Sequence, residues 1–487
     1  MAKSFLERMK IPHVFVLLTG MILLCSVLTY IIPSGTYQRQ TKEIEGRERT
    51  VVQPGTYQTT PKHFSLTSVF FGEEVEGKAT PVSLIQFLSA IPRGMEKSGD
   101  IIFFIFIIGG VLGIFQRTGM VAAFIQMLLK LLGNYSSVLI ITLMGLIAVG
   151  GSTLGMAEEL IPLVPLFLII SKELGYDRIF GLAIVILAAD VGFASATTNP
   201  FTVQIAQGIA ELPLVNDLPF RFLFLICALT ITIVYLLRYG AKIKKDPSAS
   251  LMAGDEFEIS SLKFEEEKLT RAHIITAICS IVIFGGVLWA VSDSSIGWWL
   301  SEMGGGFILM GIIAIIASKL PLSEAMDAFV KGMEEMVVAA LVVGFARGIE
   351  VVLNDGQILD TLIYSAATVL QGFPNFVAAE GMLVFQSMLN FLIPSGSGQA
   401  AVTMPLMAPL ADVLGLSRQT AVFAFTCGDG FSNTIVPTSG VLMAMLSLAE
   451  IPYQKWLRFM FPLFLMLMAL SAIFLMITVL FPVVWTW

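Results

Sequence analysis

Between Ile393 and Gly440 the chain reads IPSGSGQAAVTMPLMAPL and, further on, CGDGFSNTIVPTSG, dense in Gly, Ser, Thr, Asn and Pro yet set among apolar runs of membrane-spanning length. Hydrocarbon offers no hydrogen bonds, and each unpaired backbone N–H or C=O costs several kcal/mol there. Such a stretch must therefore be buried in protein or line a watery cavity. We read it as part of a substrate site inside a membrane protein.

The rest of the composition agrees with a membrane setting. Of the 487 residues, 56% are hydrophobic and 13% charged, with a mean hydropathy of +0.84. The class is an all-α polytopic membrane protein, because the long apolar runs lack the in–out alternation of barrel strands. The net charge of −7 comes with no large basic patch, which leaves nucleic acid out and membrane lipids and a small-molecule substrate as the expected partners. Cys25, Cys227, Cys279 and Cys427 all fall in apolar spans and imply no disulfide framework. His13, His63 and His273 are the three histidines, too few and too scattered for a metal centre or a catalytic triad, so no enzyme chemistry and no cofactor is expected. GSTLG and SGSGQ match neither a phosphate-binding loop nor a nucleophile elbow.

The chain divides into an N-terminal end with the first span (1–32), a polar loop or small cap on the outer side (33–80), a first repeat (81–238), a hydrophilic linker (239–271), connecting spans (272–319) and a second repeat with the last span (320–487). The basic start could pass for a signal peptide, but its apolar core is about twenty residues long and no small-residue cleavage pattern follows, so a retained helix is expected. Lys3, Arg8 and Lys10 place the N-terminus in the cytoplasm. Spans are expected at 13–32, 101–116, 120–133, 136–150, a broken one at 178–207, and 219–238. After the linker they resume at 272–292, 304–319, 336–353, 358–370, 378–393, a broken one at 419–449, and 459–485. The basic linker falls on the cytoplasmic side only if Gly151–Ser171 and Ile393–Leu410 enter and leave by one face, as re-entrant hairpins.

Comparing the sequence with itself gives an ordered series of matches. RGMEKSGD at Arg93 pairs with KGMEEMVV at Lys331, and GGVLGI at Gly109 with GFARGI at Gly344. Pro165, Leu174, Gly175 and Arg178 stand 240 positions before Pro405, Leu414, Gly415 and Arg418. AADVGFASATTNPF at Ala188 pairs with CGDGFSNTIVPTS at Cys427. The crossings between the copies give them opposite orientation, and inverted repeats with paired broken helices mark secondary transporters with a midplane site.

Four stretches then converge. The hairpins supply Ser152, Thr153, Glu158 and Glu159, and Ser395, Gly396, Ser397, Gly398 and Gln399. The breaks supply Thr198 and Asn199, and Ser432, Asn433, Thr434, Thr438 and Ser439, with Pro200 and Pro437 stopping the helices. Hydroxyls, amides and exposed helix ends can bind a carboxylate or a cation, and a Na+ site is expected near Thr198, Asn199, Ser432, Asn433 and Thr434. The bland alternative is close helix packing through small residues. Glu158, Glu159, Asp190 and Asp429 lie beside these breaks, where no Lys or Arg stands in the hairpin tips or breaks to neutralise them. Such a pocket suits a cationic substrate, or Na+ or H+ as coupling ion. Arg347 and Glu350 read as a structural pair.

GMAEE at Gly155, NPFTVQIAQGIAELP at Asn199, SGSGQAAVTMPLMAPLAD at Ser395 and GDGFSNTIVPTSGVLMA at Gly428 resemble the YfcC family, within the four-carbon dicarboxylate anaerobic carrier group of the ion transporter superfamily. The resemblance spans nearly the whole chain and is weakest at 33–80 and 239–271. It implies an inner-membrane secondary carrier, a homodimer with a scaffold and an elevator-type transport domain. The substrates it implies are basic amino acids, exchanged in the arginine/ornithine manner. Ser432-Asn433-Thr434 matches the Ser-Asn-Thr signature of related Na+-dependent carboxylate carriers, whereas the first break reads Thr197-Thr198-Asn199-Pro200 and departs from it. The expected function is secondary transport of amino acids, cationic ones first. A dicarboxylate carrier is the alternative, and an ion channel or receptor a distant one.

Overall fold

The computed structural model describes residues 14–44, 47–123, 127, 135–199, 201–213, 217–255, 269–292, 296, 298 and 300–481. Lys3, Arg8, Lys10, Pro200 and most of the expected span at 120–133 lie outside these residues. The described chain is mostly helical.

Helix α1 (Val14–Ile31) leads into two antiparallel ribbons, β1 (Ser34–Thr36) with β4 (Gln58–Thr60) and β2 (Arg39–Ile44) with β3 (Arg47–Val52). Then come α2 (Leu66–Phe70), α3 (Leu84–Lys97), α4 (Gly99–Arg117), α5 (Ser136–Leu154), a 3-10 segment (Glu158–Leu163), α6 (Val164–Glu173), α7 (Arg178–Ala194), α8 (Val203–Ile209) and α9 (Leu218–Lys245). The remaining helices are α10 (Arg271–Ser292), α11 (Leu300–Ser318), α12 (Leu322–Glu335), α13 (Val337–Asp355), α14 (Leu359–Leu370), α15 (Asn375–Asn390), α16 (Gly396–Val413), α17 (Arg418–Ser432), α18 (Gly440–Leu448) and α19 (Tyr453–Leu480). Among the described residues six helices, α4, α5, α9, α11, α13 and α19, are long and apolar enough to cross a membrane.

Local sequence explains the boundaries that matter for the site. Gly175 and Gly415 take left-handed φ values of 77° and 68° just after α6 and α16, ending those helices as glycine does best. Asp177 and Ser417 then cap α7 and α17, accepting from the backbone N–H groups of Phe180 (2.8 Å) and Thr420 (3.1 Å). Both helices stop short: α7 ends at Ala194 and α17 at Ser432, and each is followed by an irregular stretch before α8 or α18 begins.

α7 and α17 form the centre of the core and are buried along nearly their whole length. They cross where Gly430 meets Ala194; a Cβ on Gly430 would lie 2.4 Å from the Ala194 Cα, so only glycine permits this approach. α5 packs on α7, α15 on α17, and α16 on both α8 and α17. Elsewhere α3 lies along α13, α4 along α12, and α11 along both α4 and α10. The two groups meet where α13 packs on α18 and α4 on the 3-10 segment. The β2–β3 ribbon rests on α16.

Two arginines tie the broken helices across the chain. Arg178, in the first turn of α7, reaches the Ala449 carbonyl (3.4 Å) and the Glu450 carboxylate (3.0 Å) at the end of α18, and is also paired with Asp255 (2.6 Å). Arg418, in the first turn of α17, reaches the Ala210 carbonyl (2.8 Å) and Glu211 (3.4 Å) at the end of α8, and is paired with Asp412 (2.7 Å).

Candidate substrate cavity

Where the two groups of helices meet, a cavity of about 450 Å³ is lined by the α3–α4 junction, the 3-10 segment, α7, α13 and the N-terminal ends of α16 and α18. Its acidic groups are Asp100, Glu158, Glu159 and Asp190. Gly155 ends α5 at φ 70°, a turn in which a Cβ would strike Asn199 Oδ1 at 2.5 Å, and this bend delivers Glu158 and Glu159 to the cavity. The Ala157 N–H donates to Glu159 Oε2 (2.9 Å) and fixes that carboxylate.

The N-terminal ends of α16 and α18 contribute Ser395, Gly396 and Ser397, and Ser439 and Gly440. Ser395 and Ser439 cap their helices, accepting from the N–H groups of Gly398 and Leu442, both at 3.3 Å. Other first-turn N–H groups of a helix have no partner within it, and with the helix dipole they favour an anion. Asn433 also borders the cavity.

Not every expected site residue does so. Ser152 is buried and bonds Thr197, hydroxyl to hydroxyl at 3.0 Å, pinning the first break to the end of α5. The Thr153 hydroxyl donates to the Val149 carbonyl (2.6 Å), as threonine does within a helix. Gln399 is buried and donates to the Gln386 side chain (2.7 Å) and carbonyl (2.9 Å), joining α16 to α15. The Asn199 amide oxygen accepts from the Phe201 N–H (2.8 Å) and shapes the break itself. Gly398 is spent on the cap just described. Asp429 and Thr438 are fully buried and do not line the cavity, and their side-chain oxygens have no hydrogen-bond partner among the described residues.

Around the expected Na+ position the hydroxyls donate to carbonyls, which leaves their oxygen lone pairs open to a cation. The Thr198 hydroxyl donates to Thr153 O (3.2 Å), Ser432 to Gly428 O (2.6 Å) and Thr434 to Phe431 O (2.6 Å), while Asn433 Oδ1 accepts from Asn390 (2.9 Å). No group of three or more His, Cys, Asp or Glu among the described residues could hold a metal ion.

Basic groups reach the cavity from outside the hairpins and breaks. Lys97 and Arg347 line the cavity, and Arg347 pairs with Glu350 at 2.6 Å. The count made from sequence covered the hairpins and breaks alone, whereas α3, α4 and α13 supply Lys97, Asp100 and Arg347. The repeat matches RGMEKSGD, which holds Lys97 and Asp100, and GFARGI, which holds Arg347, were the available signal.

Comparison with known proteins settles the family. The model of the family described as "C4-dicarboxylate anaerobic carrier" matches residues 11–480. The chain belongs to the C4-dicarboxylate anaerobic carrier family. A protein of Escherichia coli K12 named "Putative basic amino acid antiporter YfcC" is 31% identical over 478 residues, which cover 93% of each chain. An uncharacterized protein of Haemophilus influenzae Rd is 31% identical over 497 residues, 96% of this carrier-family chain and 97% of its own. Among solved structures, the Alcanivorax borkumensis YdaH transporter aligns over 97% of this chain and 99% of its own at 17% identity and a TM-score of 0.44, too low to bear on the arrangement here. Membership makes this a multi-pass membrane transport protein.

Proposed function

We propose that this chain is a secondary carrier of amino acids, cationic ones first, working by exchange or by coupling to Na+ or H+. The observation that carries the proposal is the double character of one cavity. Four carboxylates, from Asp100, Glu158, Glu159 and Asp190, share it with the N-terminal ends of α16 and α18. An amino acid offers a carboxylate to the helix ends and a positive group to the acidic wall. The name of the Escherichia coli relative points the same way.

The succession of elements supports two inverted repeats. α3, α4, α5, α6, α7, α8 and α9 correspond in order to α12, α13, α15, α16, α17, α18 and α19. On this reading the 3-10 segment with α6, and α16, form the re-entrant arms, and α7–α8 and α17–α18 are the broken helices. The paired arginines Arg178 and Arg418 would keep the broken helices together as one transport domain moving against a scaffold, in a homodimer of the inner membrane with its N-terminus in the cytoplasm.

A second reading, dicarboxylate transport, is favoured by the family's description and by Lys97 and Arg347 at the cavity. The test is selectivity after charge removal. Glu158→Gln and Glu159→Gln should weaken exchange of arginine in proteoliposomes by at least about tenfold, a difference of about 1.4 kcal/mol, while neutral amino acids lose less. Equal losses for arginine and a neutral amino acid in both variants would contradict a role in recognising the cationic end.

A further inference from the structure

We propose that the segment from Phe64 to Leu88 carries a lipid-binding foot, an apolar patch that lies in the bilayer interface beside the end of α1. Leu66, Phe70 and Phe71, on and just after the short helix α2, stand on the protein surface, the first and last of them 80% and 76% exposed. Leu84, Ile85 and Leu88, in the first turns of α3, are exposed as well, and so is Phe64. Single exposed apolar side chains are ordinary, but a contiguous group of them marks an interaction surface.

Local structure makes the group contiguous. Gly72 takes a left-handed φ of 80°, and a Cβ there would lie 3.3 Å from Ser83 Oγ and 3.6 Å from the Gln86 side chain. Ser83 is the N-cap of α3. The chain after α2 therefore turns back onto the start of α3, which sets Phe71 beside the turn that bears Leu84 and Ile85. At the other end of the patch, the Phe64 ring lies 6.4 Å from that of Tyr30 in the last turn of α1.

Hydrogen bonds fix where the patch stands. Lys62 Nζ donates to the Thr29 and Ile32 carbonyls and meets the negative end of the α1 dipole. The Tyr30 hydroxyl donates to the Val82 carbonyl (3.0 Å), and the Val82 N–H to Thr29 Oγ1 (2.9 Å). Both flanks of the segment are thus pinned to the last turn of α1.

The occupant follows from that position. α1 has no charged residue, and its exposed apolar residues Leu23, Leu24, Val27 and Ile31 share one side of the helix up to its end, where Ile31 is 71% exposed. In a membrane transport protein such a stripe faces lipid, and the patch continues it past the point at which the chain leaves the helix. The charges of the segment are gathered in the turn between α2 and α3, at Glu73, Glu74, Glu76 and Lys78, with Glu73 held by the Ser65 hydroxyl (2.7 Å). Leu and Phe side chains beside a charged turn are the composition of a segment lying in the interface plane.

The consequence reaches the substrate cavity. α3 begins at the foot and ends at Lys97, which lines the cavity, and Gly94 packs it closely against Gly344 of α13. Contact with lipid then sets the depth at which one wall of the cavity stands, whichever molecule is carried.

The experiment uses the full-length protein in phosphatidylcholine vesicles, either plain or brominated near the headgroup end of the acyl chains. Leu66→Trp and Phe71→Trp each add a fluorophore to the patch, Glu74→Trp adds one to the charged turn, and the parent's own tryptophan emission is subtracted. In brominated vesicles the emission added at the two patch positions should fall at least about twofold, as an interfacial depth requires, while aqueous acrylamide quenches it weakly. The emission added in the turn should show the reverse. Either patch position alone carries the test should the other variant fail to fold. Quenching of the patch by acrylamide and not by bromine would place it in water, and protection from both would place it against another copy of the chain. Either result, or bromine quenching in the turn equal to that in the patch, would overturn the proposal.

Discussion

Arg221→Met should destabilise the protein more than any other single truncation in the first break's surroundings. Arg221 and Asp217 are 1% and 0% exposed, and the guanidinium Nε donates to Asp217 Oδ2. Its Nη1 donates to the Ala196 carbonyl and to Thr426 Oγ1, both at 3.3 Å, and its Cζ lies 5.7 Å from the Phe423 ring centroid. The arginine on α9 thus holds the break after α7 against α17. Breaking a buried pair by removing one partner costs about 3–5 kcal/mol, because the other charge is left unpaired. Here Asp217 would keep the Gln207 amide at 3.0 Å as its remaining side-chain bond among the described residues. The loss of the Ala196 bond adds about 1 kcal/mol. The assay is reversible unfolding in mixed micelles, followed through tryptophan fluorescence, for which buried Trp456 is a reporter. Adding Asp217→Asn to Arg221→Met should restore at least about 2 kcal/mol by removing the stranded charge. A single variant within about 1 kcal/mol of the parent, or a double variant no more stable than the single, would refute the reasoning.

Other substitutions probe the packing and the cross-ties. Gly430→Ala puts a methyl group 2.4 Å from the Ala194 Cα, so it should cost about 1–3 kcal/mol and lower the melting temperature. Gly94→Ala, whose Cβ would lie 2.4 Å from the Gly344 carbonyl, should do the same at the α3–α13 contact. Arg178→Ala should destabilise by about 1–3 kcal/mol and Arg418→Ala by under about 1 kcal/mol, because the first side chain is buried and the second half-exposed. Denaturant titrations of the two, side by side, check the order.

The membrane class and most helix positions were legible because their cause is local. Apolar runs set the spans, and the Gly175–Asp177 and Gly415–Ser417 signals set where α7 and α17 begin. Site residues were legible as stretches and less so as individuals. Glu158, Glu159, Ser395 and Ser439 reach the cavity, but the sequence cannot tell Ser397, which lines it, from Gln399 two residues on, which is buried on Gln386. That distinction is one of helix rotation against a neighbour. Lys97 goes unnamed in the sequence reading, and Arg347 appears there only as a structural pair with Glu350, for a different reason: their helices come from elsewhere in the chain and meet the site only through tertiary packing.

The central claim is that the cavity takes an amino acid with a positive side chain. Counterflow into proteoliposomes preloaded with arginine, ornithine, a neutral amino acid or succinate, each with and without Na+, tests it most directly. The account predicts rapid labelled-arginine uptake against internal arginine or ornithine and little against succinate. Exchange of succinate with no exchange of any amino acid would contradict it.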